Sequence, residues 1–175
     1  VSRPLYRVSG HRSDVFFGGL GAVLRLEDDR LVEYLQLTGP DEHVDDLHVV
    51  RFYAKEQTEG RSFRWSRGRS LLSVTNVRPD SREIVLWMSD GGRPPAVDRA
   101  DVTVALDNEV LGTVRVDTGF KPYVLPIPPA LAERLSRAGR TIELTITTSA
   151  WKPEAVLGTS DDRELGVMVD RVTVK

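Results

Sequence analysis

The sequence predicts an all-β, antiparallel protein, a sandwich or a barrel, carrying one short helix. Three observations lead there. Thr141-Ile142-Glu143-Leu144-Thr145-Ile146-Thr147 alternates polar and apolar without a break, as a strand with one wet face must. Asp101-Val102-Thr103-Val104-Ala105-Leu106 and Gly112-Thr113-Val114-Arg115-Val116-Asp117 do the same. A single run breaks the pattern and it does not alternate with strands, which excludes a parallel α/β arrangement.

Taken in order, further strands are expected at residues 22–26, 31–37, 47–53, 62–65, 70–75, 83–89, 123–127 and 165–174. Turn chemistry separates them, at Gly39-Pro40-Asp41, Pro79-Asp80-Ser81, Asp90-Gly91-Gly92 and Gly119. Residues 1–45 are less regular and richer in Gly, Asp and Glu. Between the strands at 101–106 and 112–117, Asp107 and Asn108 tolerate left-handed backbone and mark a hairpin. Val102, Val104 and Leu106 share a face with Val114, Gly112 and Val110 only if the loop has an odd count, so a three-residue loop, Asp107-Asn108-Glu109, is expected. The exception to the alternation is residues 129–139, with Leu131 and Leu135 one turn apart, Pro129 at the start and Gly139 past the end: a helix of two to three turns. In the last strand Leu165, Val167 and Val169 share one parity and Val172 and Val174 the other. A bulge near Asp170-Arg171 would return both sets to the core.

Length and composition bound the function. At 175 residues the chain is expected to be one β-sandwich domain, 1–175, with 1–59 its less clearly assigned part. It buries enough surface to fold without staples. With no cysteine there is no disulfide framework, Cys-ligated zinc, iron–sulfur site or thiol nucleophile. A net charge of −2 supplies no basic field for nucleic acid or an anionic membrane. The apolar runs are a few residues long, against the ~20 that a membrane-spanning helix needs. The opening Val1-Ser2-Arg3-Pro4 has no secretory character and suggests a piece of a longer or processed chain.

Few side chains cluster in a way that points to chemistry. His43 and His48 lie beside Asp41, Glu42, Asp45 and Asp46, and carboxylates at that spacing are candidate Ca²⁺ ligands. The tract lacks the alternation and Gly of an EF-hand loop, and a solvated acidic loop is the competing reading. No Gly-x-Ser-x-Gly elbow exists, and Gly18-Gly19-Leu20-Gly21 is not followed by Lys-Ser/Thr. Acids such as Glu83 and Glu143 sit on strand faces, but among 26 acids a pair suited to glycoside hydrolysis has no specificity. Aromatic residues remain. Trp65, Trp87, Trp151, Tyr53, Phe120 and Tyr123 either fill the core or present a face on which a sugar ring packs its C–H side. Trp87 is the outward candidate, since its parity is opposite to Ile84, Leu86 and Met88. Trp151, set on a loop by Pro153, is the second, and Tyr53 the third. Arg163, between Asp161, Asp162 and Glu164, is expected to pair with carboxylate or carbonyl groups at the start of a strand.

A set of motifs carries a resemblance. Ser62-Phe63-Arg64-Trp65-Ser66 is followed by Gly112-Thr113-Val114, then Thr118-Gly119-Phe120-Lys121-Pro122-Tyr123-Val124-Leu125-Pro126-Ile127-Pro128. Trp151-Lys152-Pro153, Asp162-Arg163-Glu164-Leu165-Gly166-Val167 and Asp170-Arg171-Val172 close the series. Over residues 60–175 this order resembles the jelly-roll, carbohydrate-binding-module-like domains attached to bacterial polytopic membrane proteins, notably glycosyltransferases of the dolichyl-phosphate-mannose mannosyltransferase type. Two departures stand out: Glu109 follows Asn108 where such domains usually have Gly, and Arg171 follows Asp170 where they often have Trp. The resemblance implies a two-sheet jelly roll with no catalytic residues, Trp65, Asp170 and Arg163 being structural. It also implies a place on the extracytoplasmic face of the membrane beside the membrane-embedded part of the parent protein, with a glycan as the partner. The rival readings are a structural or protein-interaction sandwich without ligand and, third, a small glycoside hydrolase.

Overall fold

The computed structural model describes residues 49–58, 60–74 and 77–175 with their side chains, and 15–16, 23–27 and 30–36 as strand backbone. The elements are β1 (Val15–Phe16), β2 (Val23–Glu27), β3 (Arg30–Gln36), β4 (Val49–Phe52), β5 (Glu56–Thr58), β6 (Arg61–Val74), β7 (Glu83–Ser89), β8 (Asp101–Leu106), β9 (Glu109–Arg115), β10 (Lys121–Pro126), α1 (Pro129–Ser136), β11 (Ile142–Thr147), α2 (Pro153–Leu157) and β12 (Met168–Val174). All pairings among them are antiparallel. The fold is the all-β jelly-roll sandwich that the alternation and the resemblance imply. After β6 the chain passes from sheet to sheet: β7 to the first, β8 and β9 to the second, β10 to the first, β11 to the second and β12 to the first.

In the first sheet β12 lies between β7, itself paired with β10, and an opposite edge shared by β3 and the start of β6. The second runs β9–β8–β11–β6–β4. One strand thus serves both sheets. Arg64 and Trp65 of β6 pair with β12, while Arg69 to Val74 pair with β11. Arg67-Gly68-Arg69 reads as a break between two strands, yet the ladder holds: Ser66 N–H donates to the Val167 carbonyl at 2.8 Å and Thr148 N–H to that of Gly68 at 2.9 Å. The two strands expected at 62–65 and 70–75 are therefore one of 14 residues.

The inward faces of the sheets form the main core, with Leu86 and Met88 of β7, Val102 and Val104 of β8 and Leu144 and Ile146 of β11 fully buried. Helix α1 closes it with Leu131, Ala132 and Leu135, the periodicity its sequence shows. A second cluster forms at one end from Phe63, Trp65, Trp151, Leu165 and Met168. Gly91 is required there twice over. Its φ is +70°, and a Cβ would stand 2.1 Å from Cη2 of Trp65.

Two local readings need correction and a third is met. The β8–β9 loop has two residues, Asp107 and Asn108, with φ of 51° and 68°, a type I′ turn. The expected facing of Val102 with Val114 and Val104 with Gly112 is still present, because Leu111 is inserted as a bulge and shifts the register between Val104 and Ala105. Val110 points to solvent instead. In β12 the bulge lies where parity asked for it, between Val169 and Arg171, and Val167, Val169 and Val172 all reach the main core; Leu165 goes to the second cluster. Finally, α2 is a second short helix, five residues begun by Pro153 and ended by left-handed Gly158.

Candidate functional site

Strand β7 has two unlike faces. Ile84, Leu86 and Met88 point into the core, which turns Glu83, Val85 and Trp87 outward. Pairing sets their neighbours. Pro122 and Arg171 flank Trp87, and Val124 and Thr173 flank Val85. Together with Lys175 these outward side chains line a shallow groove of about 430 Å³. Its exposed apolar part is Val124, 53% exposed; Val85, which also lines it, is 4% exposed. Arg171 puts its guanidinium carbon 4.6 Å from the centre of the Trp87 ring. The one carboxylate of the lining, Glu83, lies 3.7 Å from Nζ of Lys175.

The bulge in β12 shapes the upper end of this face. Asp170, the inserted residue, is 6% exposed and accepts a hydrogen bond from Nη1 of Arg61 at 2.7 Å. Arg61, at the start of β6, lies over two rings, 5.9 Å from the centre of Trp87 and 5.1 Å from that of Phe120.

The other sequence-derived candidates lie elsewhere. Trp151, expected on an exposed loop, is 8% exposed and bonds backbone to backbone with Leu165 in the second cluster. The aromatic side chain that Pro153 seemed to lift outward is drawn in by that bridge. Tyr53 is half-buried, with the guanidiniums of Arg67 and Arg163 over its ring at 4.6 and 5.3 Å and its hydroxyl accepting from Glu164 N–H at 2.9 Å. It is part of a wall and does not line the groove. Trp65 is 7% exposed, edge-on to Phe63.

Arg163 closes the same wall. It grips Asp161 through Nε at 2.9 Å and Nη2 at 2.7 Å and reaches Glu56 with Nη1. These bonds hold the Asp161 carboxyl below its usual range and push the guanidinium's own pKa up. The Glu56 contact joins residues 107 positions apart, which no local reading of the sequence supplies. Sequence reasoning also missed Arg93. Its guanidinium donates to Asp98 O, Ser149 Oγ, Ser149 O and Gly166 O at 2.8 to 2.9 Å and pins the 90–100 loop to the second cluster. Asp41, Glu42, Asp45 and Asp46, the candidate Ca²⁺ ligands, fall outside the described residues. Among the described residues no three His, Asp or Glu side chains are grouped to hold a metal ion.

Compared by sequence, the chain matches no family model and no curated protein. By structure it is similar to a family 35 carbohydrate binding module from Clostridium thermocellum, at 8% identity and a TM-score of 0.45, over 81% of this chain and 95% of that one. It is similar to a family 35 module from an environmental isolate at 11% identity and 0.43, over 72% and 87%. A family GH115 4-O-methyl-α-glucuronidase is similar at 15% identity and 0.41, over 71% of this chain and 16% of the enzyme.

Proposed function

We propose that this chain is a non-catalytic recognition domain that binds carbohydrate on the outer face of β7, β10 and β12. In the same reading it is the extracytoplasmic accessory domain of a membrane protein in cell-surface glycan synthesis. The observation that carries the binding half is Trp87: of three tryptophans it alone is outside the buried clusters, and it stands at the head of a groove floored by Val85 and Val124. An indole beside the exposed Val124 offers an apolar surface to the C–H face of a sugar, and the Arg61 guanidinium next to it offers donors to hydroxyls. The membrane half rests on the motifs of residues 60–175.

One aromatic stack contributes about 1 kcal/mol beyond area burial. The expected affinity is therefore millimolar, about 4 kcal/mol in total. The test is titration with bacterial surface glycans and simple oligosaccharides, followed by calorimetry, with Trp87→Ala as the control. Binding in the wild type that is lost in Trp87→Ala is expected. If no glycan moves any signal at ~10 mM ligand, a ligand-free scaffold replaces this reading.

A further inference from the structure

Stacking on Trp87 accounts for the apolar half of the face but not for Arg61 and Asp170. A carboxylate only 6% exposed in the last strand is a costly residue unless it is paired. The bulge adds it as one extra residue between Val169 and Arg171, and what it does is hold Arg61. The Arg61 side chain stays 39% exposed while Asp170 fixes one of its nitrogens and the Trp87 and Phe120 rings lie 5.9 and 5.1 Å from its guanidinium carbon. A guanidinium has five N–H donors in a rigid fork, and the Asp170 bond uses one. The result is a set of oriented donors between two aromatic side chains, an arrangement that long, flexible arginines do not keep unaided.

We infer that Arg61 is the polar reader of the carbohydrate face, that Asp170 is its positioning residue, and that the site extends from Trp87 across Arg61 to Phe120. The inference rests on the proposed carbohydrate binding and deepens it. A ring stacked on Trp87 places its hydroxyl edge against the Arg61 fork, and Asp170 already balances the cation, so the group read is a neutral hydroxyl pair.

The experiment compares wild type with Arg61→Ala, Arg61→Lys, Asp170→Asn and Trp87→Ala. Probes are the methyl glycosides of mannose, galactose, glucose and arabinose, together with the monodeoxy analogues of whichever binds. Wild type is expected to prefer the parent sugar over one deoxy analogue by tenfold or more. Arg61→Ala is expected to weaken the parent by a similar factor and to bind parent and analogue alike. Arg61→Lys, which keeps the charge and loses the fork, fails to restore the preference. Asp170→Asn, near-isosteric, reduces the preference several-fold while thermal melting shows the protein folded. The inference is overturned if Trp87→Ala abolishes binding but Arg61→Ala and Asp170→Asn keep the deoxy preference. It is also overturned if their losses only track the unfolded fraction. Binding that survives in Trp87→Ala overturns the carbohydrate reading of this face itself, and this inference with it.

Discussion

Asp161 shows how one side chain couples the wall around Tyr53 to pH. Arg163 donates to both of its oxygens and lowers its carboxyl pKa relative to an unfolded chain. A depressed folded pKa stabilises the native state above the unfolded carboxylate value of ~3.9, and this contribution disappears as pH falls through the folded value. The melting temperature is therefore expected to decline below about pH 4, and Asp161→Asn to decline less steeply there while being less stable at neutral pH. Parallel acid melting curves for the two proteins would refute this. Asp101, bonded by Arg115 and likewise lowered, adds to the same acid slope. The Asp161–Arg163 half of the pair was legible in the sequence because the residues are neighbours. Glu56 and Tyr53 were not, because only the fold brings them there.

Strand bulges decide what could be read at the level of elements. Period-two alternation located β7, β8 and β11 nearly to the residue, and one-turn spacing between Pro129 and Gly139 located α1. It also located the β12 bulge, because buried residues of both parities in one strand admit no other remedy. In the β8–β9 hairpin the same parity had two remedies, an odd loop or a bulge, and the chain uses a type I′ turn with Leu111 as the bulge. That turn requires left-handed backbone at Asn108. Asn108→Val is accordingly expected to cost about 1–2 kcal/mol, and Asn108→Gly to be neutral or slightly stabilising. Equal denaturation midpoints for the Val and Gly variants would place the loop in another conformation. Strand β6 defeated the reading for a different reason. Gly68 is a turn residue by composition, but its carbonyl accepts from Thr148 N–H, which keeps the strand in the sheet. Trp151 failed likewise: its neighbours mark a loop, and the backbone bridge to Leu165 that buries it is invisible in one segment.

Across the whole molecule, the two sheets and their core were legible, while the face that carries the proposed site was visible in a single residue, Trp87. The rest of that face comes from three strands whose alignment depends on β12. That strand lies between β7 on one side and β6 and β3 on the other, so its partners precede it by about 80 to 140 positions. Without it, β7 and β10 would be a two-stranded ribbon, which is marginal alone in water. Contacts of such long sequence separation must close large loops before they gain anything, so folding in milliseconds to seconds is expected. Val172→Ala, in the buried middle of β12, should lose about 2 kcal/mol and show the loss mainly as slower refolding in stopped-flow chevrons. A change confined to the unfolding arm would mean that β12 docks after the barrier. Placing the middle plank late in the sequence has a consequence for the nascent chain. Until residues 168–174 arrive, the inner edges of β7 and β6 stand open together, so a stalled chain exposes two adhesive strand edges to its neighbours and to proteases.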